Sequence, residues 1–220
     1  MDFLERDDSV TMTFASREEA GQKLGRYLAE AGVEIDLVLG LPRGGMVVAA
    51  EVARILKRPL GVLVVRKIGH PRHREFAVGA LADDGVVVLD NDVMASSGVD
   101  RAELDEVIAE ETERLRHCQF EFHQTGVPDL REQRVSIVDD GLATGATTEA
   151  AVLSARRQKA GKVIVAVPVA STNGVERLSG VADEVISLLI DPGFEAVGRY
   201  YRVFSQTTDE EVLALLRGQN

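Results

Sequence analysis

Cysteine is almost absent from this chain: Cys118 stands alone in 220 residues, so no intrachain disulfide is possible and a reducing cytoplasm is the expected setting. Histidine is scarce too, with four residues. His70 and His73 form an H-x-x-H pair with no third ligand, and His117, Cys118 and His123 lack metal-ligand spacing, which argues against a zinc-type site. Long apolar runs are missing too. None reaches about 18 residues, so no membrane-spanning helix is expected, and the acidic start MDFLERDD has no apolar run of a secretory signal. Positive charge is in deficit, 25 Lys and Arg against 36 Asp and Glu, for a net charge of -11. That balance excludes an extended nucleic-acid surface, since nothing would displace the counterions of a long polyphosphate. No Pro/Gly/Ser linker, low-complexity tract or internal repeat interrupts the chain, so residues 1–220 read as one domain.

What is present is an alternation of strand-like and helix-like patterns. It predicts an α/β fold, doubly wound, with a mainly parallel sheet of about five strands flanked by helices. Ser16-Arg-Glu-Glu19 reads as a capping box opening a helix that Gly32 ends. Buried strands are expected at 36–41, 60–65, 135–138, 163–169 and 184–190. Helices are expected at 46–56, closed by Lys57-Arg58-Pro59, and at 147–158 and 209–217. Residues 76–81 and 86–89 predict a hairpin around Asp83-Asp84-Gly85. Asp100-Arg-Ala-Glu103 predicts a second capping box and a helix to about Cys118. Leu104, Val107, Ile108 and Leu115 share one face of it, and Glu110 and Arg114 pair on the other.

The richest segment is VSIVDDGLATGATT, Val135 to Thr148. It sets two acids and a Gly/Thr loop between a buried strand and a helix start. First-turn N–H groups lack intrahelical partners, and the macrodipole adds roughly half a positive charge there, so a phosphate is held without a lysine. Gly141 and Gly145 permit close approach, and Thr144, Thr147 and Thr148 offer hydroxyls. Asp139 and Asp140 would repel such an anion unless they accept hydrogen bonds from vicinal hydroxyls and help hold a divalent cation. Acids that merely cap the next helix in a Rossmann-like turn are the plainer alternative, but the G-x-G-x-x-G spacing is missing. A Walker loop is excluded because no lysine follows Gly145.

This order of strand, two acids, two variable residues and Thr/Gly loop resembles the signature of the type I phosphoribosyltransferases. The likeness covers roughly residues 36–190, and it is nearer to a group of bacterial phosphoribosyltransferase-like proteins than to any branch with an assigned base. It implies a core over about 33–190 and a small C-terminal hood over about 191–207, with help from N-terminal residues. It also implies transfer of ribose 5-phosphate from 5-phosphoribosyl 1-pyrophosphate to a purine- or pyrimidine-like base, with Mg2+ as cofactor. Asp139 and Asp140 would take the ribose hydroxyls and the metal, partly through water or substrate. Ala143, Thr144, Gly145, Ala146 and Thr147 would hold the 5-phosphate.

Two further segments follow from the same resemblance. Leu41-Pro42-Arg43-Gly44-Gly45 lies at another strand end, and Arg43 and Gly44 would bind pyrophosphate, with the Pro42–Arg43 peptide cis or strained so that N–H groups turn inward. Arg66 and Lys67 resemble a dipeptide of the orotate branch and would also face pyrophosphate. They open a basic stretch to Arg74, containing His70, Arg72 and Arg74, that resembles the family's flexible catalytic loop. Ile68 to Arg74 is expected to be mobile without ligand and ordered over the substrates.

For the acceptor, Ala143 stands where the 6-oxopurine branch has an aspartate, which speaks against hypoxanthine or guanine. VDDGLATGAT is nearest to the adenine branch, which would need a hood carboxylate from Asp191 or Glu195. Phe194, Tyr200, Tyr201 and Phe204 are candidates to stack on the base. A non-catalytic sensor of the ribosyl pyrophosphate, controlling transcription or attenuation, is the competing class. The missing basic face, with no winged-helix extension expected before residue 36, favours an enzyme. Dimerisation is common in the family, and the helix at 100–118 is a candidate interface.

Overall fold

Alternation at period two decides how the central sheet is covered. In the computed structural model, which describes residues 14–122 and 126–218, β1 (Leu37–Gly40) turns Leu37 and Leu39 to one face and Val38 to the other. Strands β2 (Leu60–Val62), β6 (Arg134–Val138), β7 (Lys162–Ser171) and β8 (Glu184–Asp191) complete a fully parallel sheet in the order β2-β1-β6-β7-β8. Val38, Val138, Ile164 and Ala166 pack under α1 (Arg17–Glu30) and α2 (Gly44–Leu56). Leu39, Ile137, Val163 and Val165 pack under α5 (Ala146–Arg157), with α6 (Thr172–Ser179) beside it. Each such side chain contributes about 1.5–3 kcal/mol by leaving water. The expected architecture and strand positions are present; α6 and the short α3 (Asn91–Ser97) had not been expected.

Helix α1 lies unusually close to α2. A Cβ on Gly21 would sit 2.6 Å from the Val48 carbonyl oxygen, and one on Gly25 would sit 3.0 Å from Ile55 Cδ1. These two glycines, four residues apart on one face, set the position of the N-terminal end of α1. Among the described residues no helix is long and apolar enough to cross a membrane. The residues before Phe14, expected to help form the hood, and His123 lie outside the described residues.

The basic stretch is a strand pair where a loop was expected. β3 (Val65–His70) pairs antiparallel with β4 (His73–Ala82), which pairs in turn with β5 (Val87–Leu89) around the expected Asp83-Asp84-Gly85 turn. Ile68 is fully buried and, with Val78 and Leu81, meets Leu104, Val107 and Leu115 of α4 (Arg101–Phe122) and Val212 of α7 (Asp209–Arg217). That long-range apolar anchor is invisible in a segment dominated by basic and imidazole side chains. The polar face of α4 is matched to the ribbon as well: Arg66 meets Glu111 at 2.7 Å, Arg72 meets Glu103 at 3.2 Å and Arg74 meets Glu110 at 3.0 Å. The expected Glu110–Arg114 pair is therefore replaced by Arg114–Glu111. His70 is a buried strand residue whose Nδ1 accepts from the Arg72 amide at 3.0 Å. The apolar face of α4 is covered within the chain, so a dimer contact through this helix would have to use its other faces.

Two outcomes are expected. Amide hydrogen exchange in the protein without ligand should show protection across the ladder from Val65 to Ile68 and from Gly79 to Ala82; exchange there at the rate of an open loop would show that the ribbon is not formed. The second concerns Asp83, whose carboxyl burial pushes up to about 6 and whose Oδ1 accepts from Gln119 Nε2 at 3.2 Å. An acid raised above its unfolded value of about 4 adds stability below that pH, and the contribution is lost as pH climbs through its folded value. Asp83→Asn should therefore melt above the wild type at pH 7 and level with it near pH 4. Coincident melting curves at both pH values would show that no charge is buried there.

Candidate active site

Parallel pairing of β1 with β6 sets Gly40 beside Val138, so the loops that leave both strands emerge together at the carboxyl edge of the sheet. The Leu41 amide donates to the Val138 carbonyl at 3.0 Å and ties the two loops at their root. The Pro42–Arg43 peptide is cis, as expected. The helices that follow share a property: α2 starts after Arg43 and α5 after Gly145 (φ +80°), and neither has a side-chain cap. By contrast, α1, α3, α6 and α7 are capped by Ser16, Asp90, Ser171 and Thr208. Uncapped first turns leave N–H donors uncommitted at the positive end of the dipole, as an anion site requires.

Between these two helix starts lie Asp139 and Asp140. Asp139 Oδ1 accepts from the Asp140 amide at 2.8 Å. Burial first, then the neighbouring Asp140 charge, holds the Asp139 carboxyl well above the usual carboxylate range. Burial raises Asp140 as well, and the Arg17 guanidinium offsets part of that rise. Arg17 Nε donates to Asp140 Oδ2 at 2.7 Å, and Lys67 adds a favourable charge at both acids. Gly44 and Gly45 pack directly on the pair: a Cβ on Gly44 would overlap Asp140 Oδ2, and one on Gly45 would sit 2.7 Å from Asp139 Oδ1. The diglycine is thus demanded by the acids it packs against. Among the described residues no group of three or more His, Cys, Asp or Glu side chains is placed to hold a metal ion. Two carboxylates fit a magnesium ion that keeps waters and substrate oxygens for its other positions.

The Gly/Thr loop is stitched to β7. The Leu142 amide donates to the Val169 carbonyl at 2.9 Å, the Ser171 amide to the Leu142 carbonyl at 2.8 Å and Ser171 Oγ to the Ala143 carbonyl at 2.5 Å. Ala143 and Thr144 are exposed, Ala146 and Thr147 half-buried. Thr148, expected to offer its hydroxyl, is turned into the core at 2% exposure.

The basic candidates separate. Successive residues of a strand face opposite ways, and Lys67 faces the acids while Arg66 turns to Glu111 and Cys118 of α4. Arg43 Nη1 lies 4.0 Å from Asp209 Oδ1. A cleft of about 370 Å³ is lined by Pro42, Arg43, Arg66, Lys67, Cys118 and Phe122. Arg72 and Arg74 are held on α4, away from the acids.

The hood candidates are corrected. Phe14 joins the tail, its amide donating to the Tyr200 carbonyl at 2.7 Å, so an N-terminal share in the hood is present at that residue. Tyr200 and Tyr201 are buried, at 3% and 5% exposure. The Tyr200 hydroxyl donates to Asp191 at 2.6 Å, the Tyr201 hydroxyl to the Asp140 carbonyl at 2.5 Å, and Phe194 stacks on Tyr200 with centroids 5.3 Å apart. Glu195 pairs with Arg199. These side chains form the hood's own small core, which leaves neither tyrosine face open to a base and commits Asp191.

Sequence reasoning missed Arg17, which had passed as the second residue of a capping box. One signal was available: a cation in the first turn of a helix opposes the macrodipole, so its presence at the first position of α1 needs an acidic partner from elsewhere.

Gly45→Ala forces a methyl against Asp139, and overpacking of this kind costs about 1–3 kcal/mol. A fall in melting temperature of several degrees is expected, against none for Gly180→Ala, whose Cβ would meet only a carbonyl oxygen at 4.0 Å. Equal melting temperatures for the two variants would disprove the tight seat under the acids.

Comparison with known proteins places this geometry. The family model described as the phosphoribosyl transferase domain matches residues 15–201. Two Mycobacterium tuberculosis proteins, from strains CDC 1551 / Oshkosh and ATCC 25618 / H37Rv, are provisionally named phosphoribosyl transferases. Both are 45% identical over 205 residues, which is 92% of this chain and 46% of theirs. The chain thus spans about half the length of these relatives. The crystal structure of TT1426 from Thermus thermophilus shares 42% identity at a TM-score of 0.79, covering 94% of this chain and 99% of that one. AQ2163 from Aquifex aeolicus, 13% identical with a TM-score of 0.50 over 91% of this chain and 86% of its own, shares the fold alone. The span matched by the family model contains both strand-edge loops, the acid pair and Arg17, and the chain belongs to the phosphoribosyl transferase domain family.

Proposed function

We propose that this chain is a phosphoribosyltransferase that binds 5-phosphoribosyl 1-pyrophosphate with magnesium and passes ribose 5-phosphate to a nitrogenous base, releasing pyrophosphate. The observation that carries the reading is a half-buried acid pair set between two helix N-termini that lack side-chain caps. A donor with an anion at each end and a diol between them matches that order of charges.

In this reading the amides at the start of α5, with the Thr144 and Thr147 hydroxyls, hold the 5-phosphate. Asp139 and Asp140 accept hydrogen bonds from the ribose 2- and 3-hydroxyls. The amides of Arg43 and Gly44, with Lys67, receive the pyrophosphate. Asp139 and Asp140 would hold magnesium, partly through water, and the ion would supply positive charge to the pyrophosphate oxygens. A base nitrogen attacks C1 as the bond from C1 to the pyrophosphate oxygen breaks, and the bonding electrons leave with pyrophosphate. Positive charge develops on the ribose ring during that exchange, which the carboxylates beneath it stabilise. Ala143 at the fifth motif position disfavours a 6-oxopurine acceptor, and the commitment of Asp191 to Tyr200 removes one carboxylate that an adenine acceptor would need.

Calorimetric titration with 5-phosphoribosyl 1-pyrophosphate and magnesium tests the donor site. Asp139→Asn keeps the acceptor for the Asp140 amide but loses charge, and should weaken donor binding by about 1.5–3 kcal/mol, roughly ten- to a hundredfold, without lowering the melting temperature. A panel of purine and pyrimidine bases, followed by pyrophosphate release, tests turnover. Tight donor binding with no release for any base would favour the sensor class, and unchanged affinity in the variant would remove the acids from the ribose role.

A further inference from the structure

Arg17 brings more hydrogen-bonding capacity to the site than the protein uses. A guanidinium has five N–H donors in a fixed fork. Nε serves Asp140 Oδ2 at 2.7 Å, and Nη1 serves the Ser205 carbonyl at 2.7 Å. The Phe204 ring lies against the same group, 3.8 Å from the guanidinium carbon to the ring centroid. Nη2 has no protein acceptor among the described residues, although the side chain is only 11% exposed. Its position is telling. The point where a Gly44 Cβ would stand is 2.7 Å from Nε and 2.9 Å from Nη2, so the fork lies on the first residue of α2, where the uncapped amides begin. Positive ends of α1 and α2 converge there with a full cation, and Lys67 adds another at the acids. Among the described residues Asp140 alone takes a direct ion pair from this group, so a second anion has donors waiting for it.

We propose that Arg17 is a donor-binding residue: one edge of its fork fixes Asp140 for the ribose, and the other, at Nη2, takes a pyrophosphate oxygen at the N-terminus of α2. This rests on the donor-site reading above and extends it to a residue from outside both strand-edge loops. Since Ser205 and Phe204 hold the same guanidinium, the tail after the hood's tyrosines becomes part of the wall that grips the leaving group. Unlike Lys67, which acts as a point charge, a fork can bind a carboxylate and a phosphate oxygen at once.

The probe is inorganic pyrophosphate with magnesium chloride, which touches this half of the site without a ribose. Calorimetry on the full chain should show Arg17→Ala binding it about ten- to a hundredfold more weakly than the wild type, the loss of one charge-assisted contact. Arg17→Lys keeps the charge but cannot fork, and should fall several-fold below wild type; that variant decides the matter if the alanine variant does not fold. The same comparison in an Asp140→Asn background separates contact from scaffolding: the loss should persist there. Wild-type affinity in Arg17→Ala, or a loss that vanishes once Asp140 is neutral, would overturn a direct contact while leaving the donor-site reading standing. Failure of the wild type to bind either pyrophosphate or 5-phosphoribosyl 1-pyrophosphate would remove that reading and this inference together.

Discussion

Two carboxylates side by side at a strand end and half withdrawn from water repel each other unless cations stand near them, and the site is organised around that demand. Asp139 is driven well above the usual carboxylate range, while Asp140 is held nearer to it by an arginine brought from the far end of the chain. Lys67 supplies long-range positive charge, and two helix N-termini supply partial charge without side chains. The same demand explains the diglycine. Any side chain at Gly44 or Gly45 would push the helix start off the acids and open the distance over which its dipole acts.

The position of that arginine is decided some distance away. Gly21 and Gly25 remove two side chains from the face of α1 that meets α2, so the helices approach until Gly21 nearly touches the Val48 carbonyl. Close approach brings the first residue of α1 beside the first residue of α2, and Arg17 spans from one helix to the acid loop of β6. A packing feature in the interior of two helices thus fixes an electrostatic feature at their ends. The hood completes it from the other side, with the Ser205 carbonyl on Nη1 and the Phe204 ring 3.8 Å from the guanidinium carbon.

Much of this was legible in the sequence because it depends on local pattern. The five strands follow from apolar runs, and the acid and Gly/Thr motif fixes the loop at the end of β6. The cis Pro42–Arg43 peptide was implied by the likeness of this loop to the phosphoribosyltransferase family's. What was illegible depends on partners remote in sequence. The basic stretch is strand because Ile68 finds Leu104 and Val107, far along the chain, and because α4 carries acids at the matching spacing. Tyr200 and Tyr201 looked like ring-stacking candidates because an exposed aromatic and a buried one are spelled the same way. Only their hydroxyl partners, Asp191 and the Asp140 carbonyl, reveal them as packing. Arg17 was hidden inside a capping motif that explained its neighbours.

The basic ribbon shows why a cluster of positive charge is a poor guide to an anion site on its own. Its exposed pairs, Arg72 with Glu103 and Arg74 with Glu110, are each worth about 0–1 kcal/mol, so they add little to the stability of the ribbon. The apolar anchor under Ile68, Val78 and Leu81 does that instead. Arg66 differs, since Glu111 beneath it is 6% exposed and holds Arg114 as well, and stripping that acid of both partners would leave a buried charge uncompensated. The ribbon therefore combines a fixed root with arginines nearer its tip that exchange partners cheaply. In the proposed donor site a polyanion would meet its firm contacts at the helix starts and at Lys67, while the exposed pairs of Arg72 and Arg74 cost little to exchange.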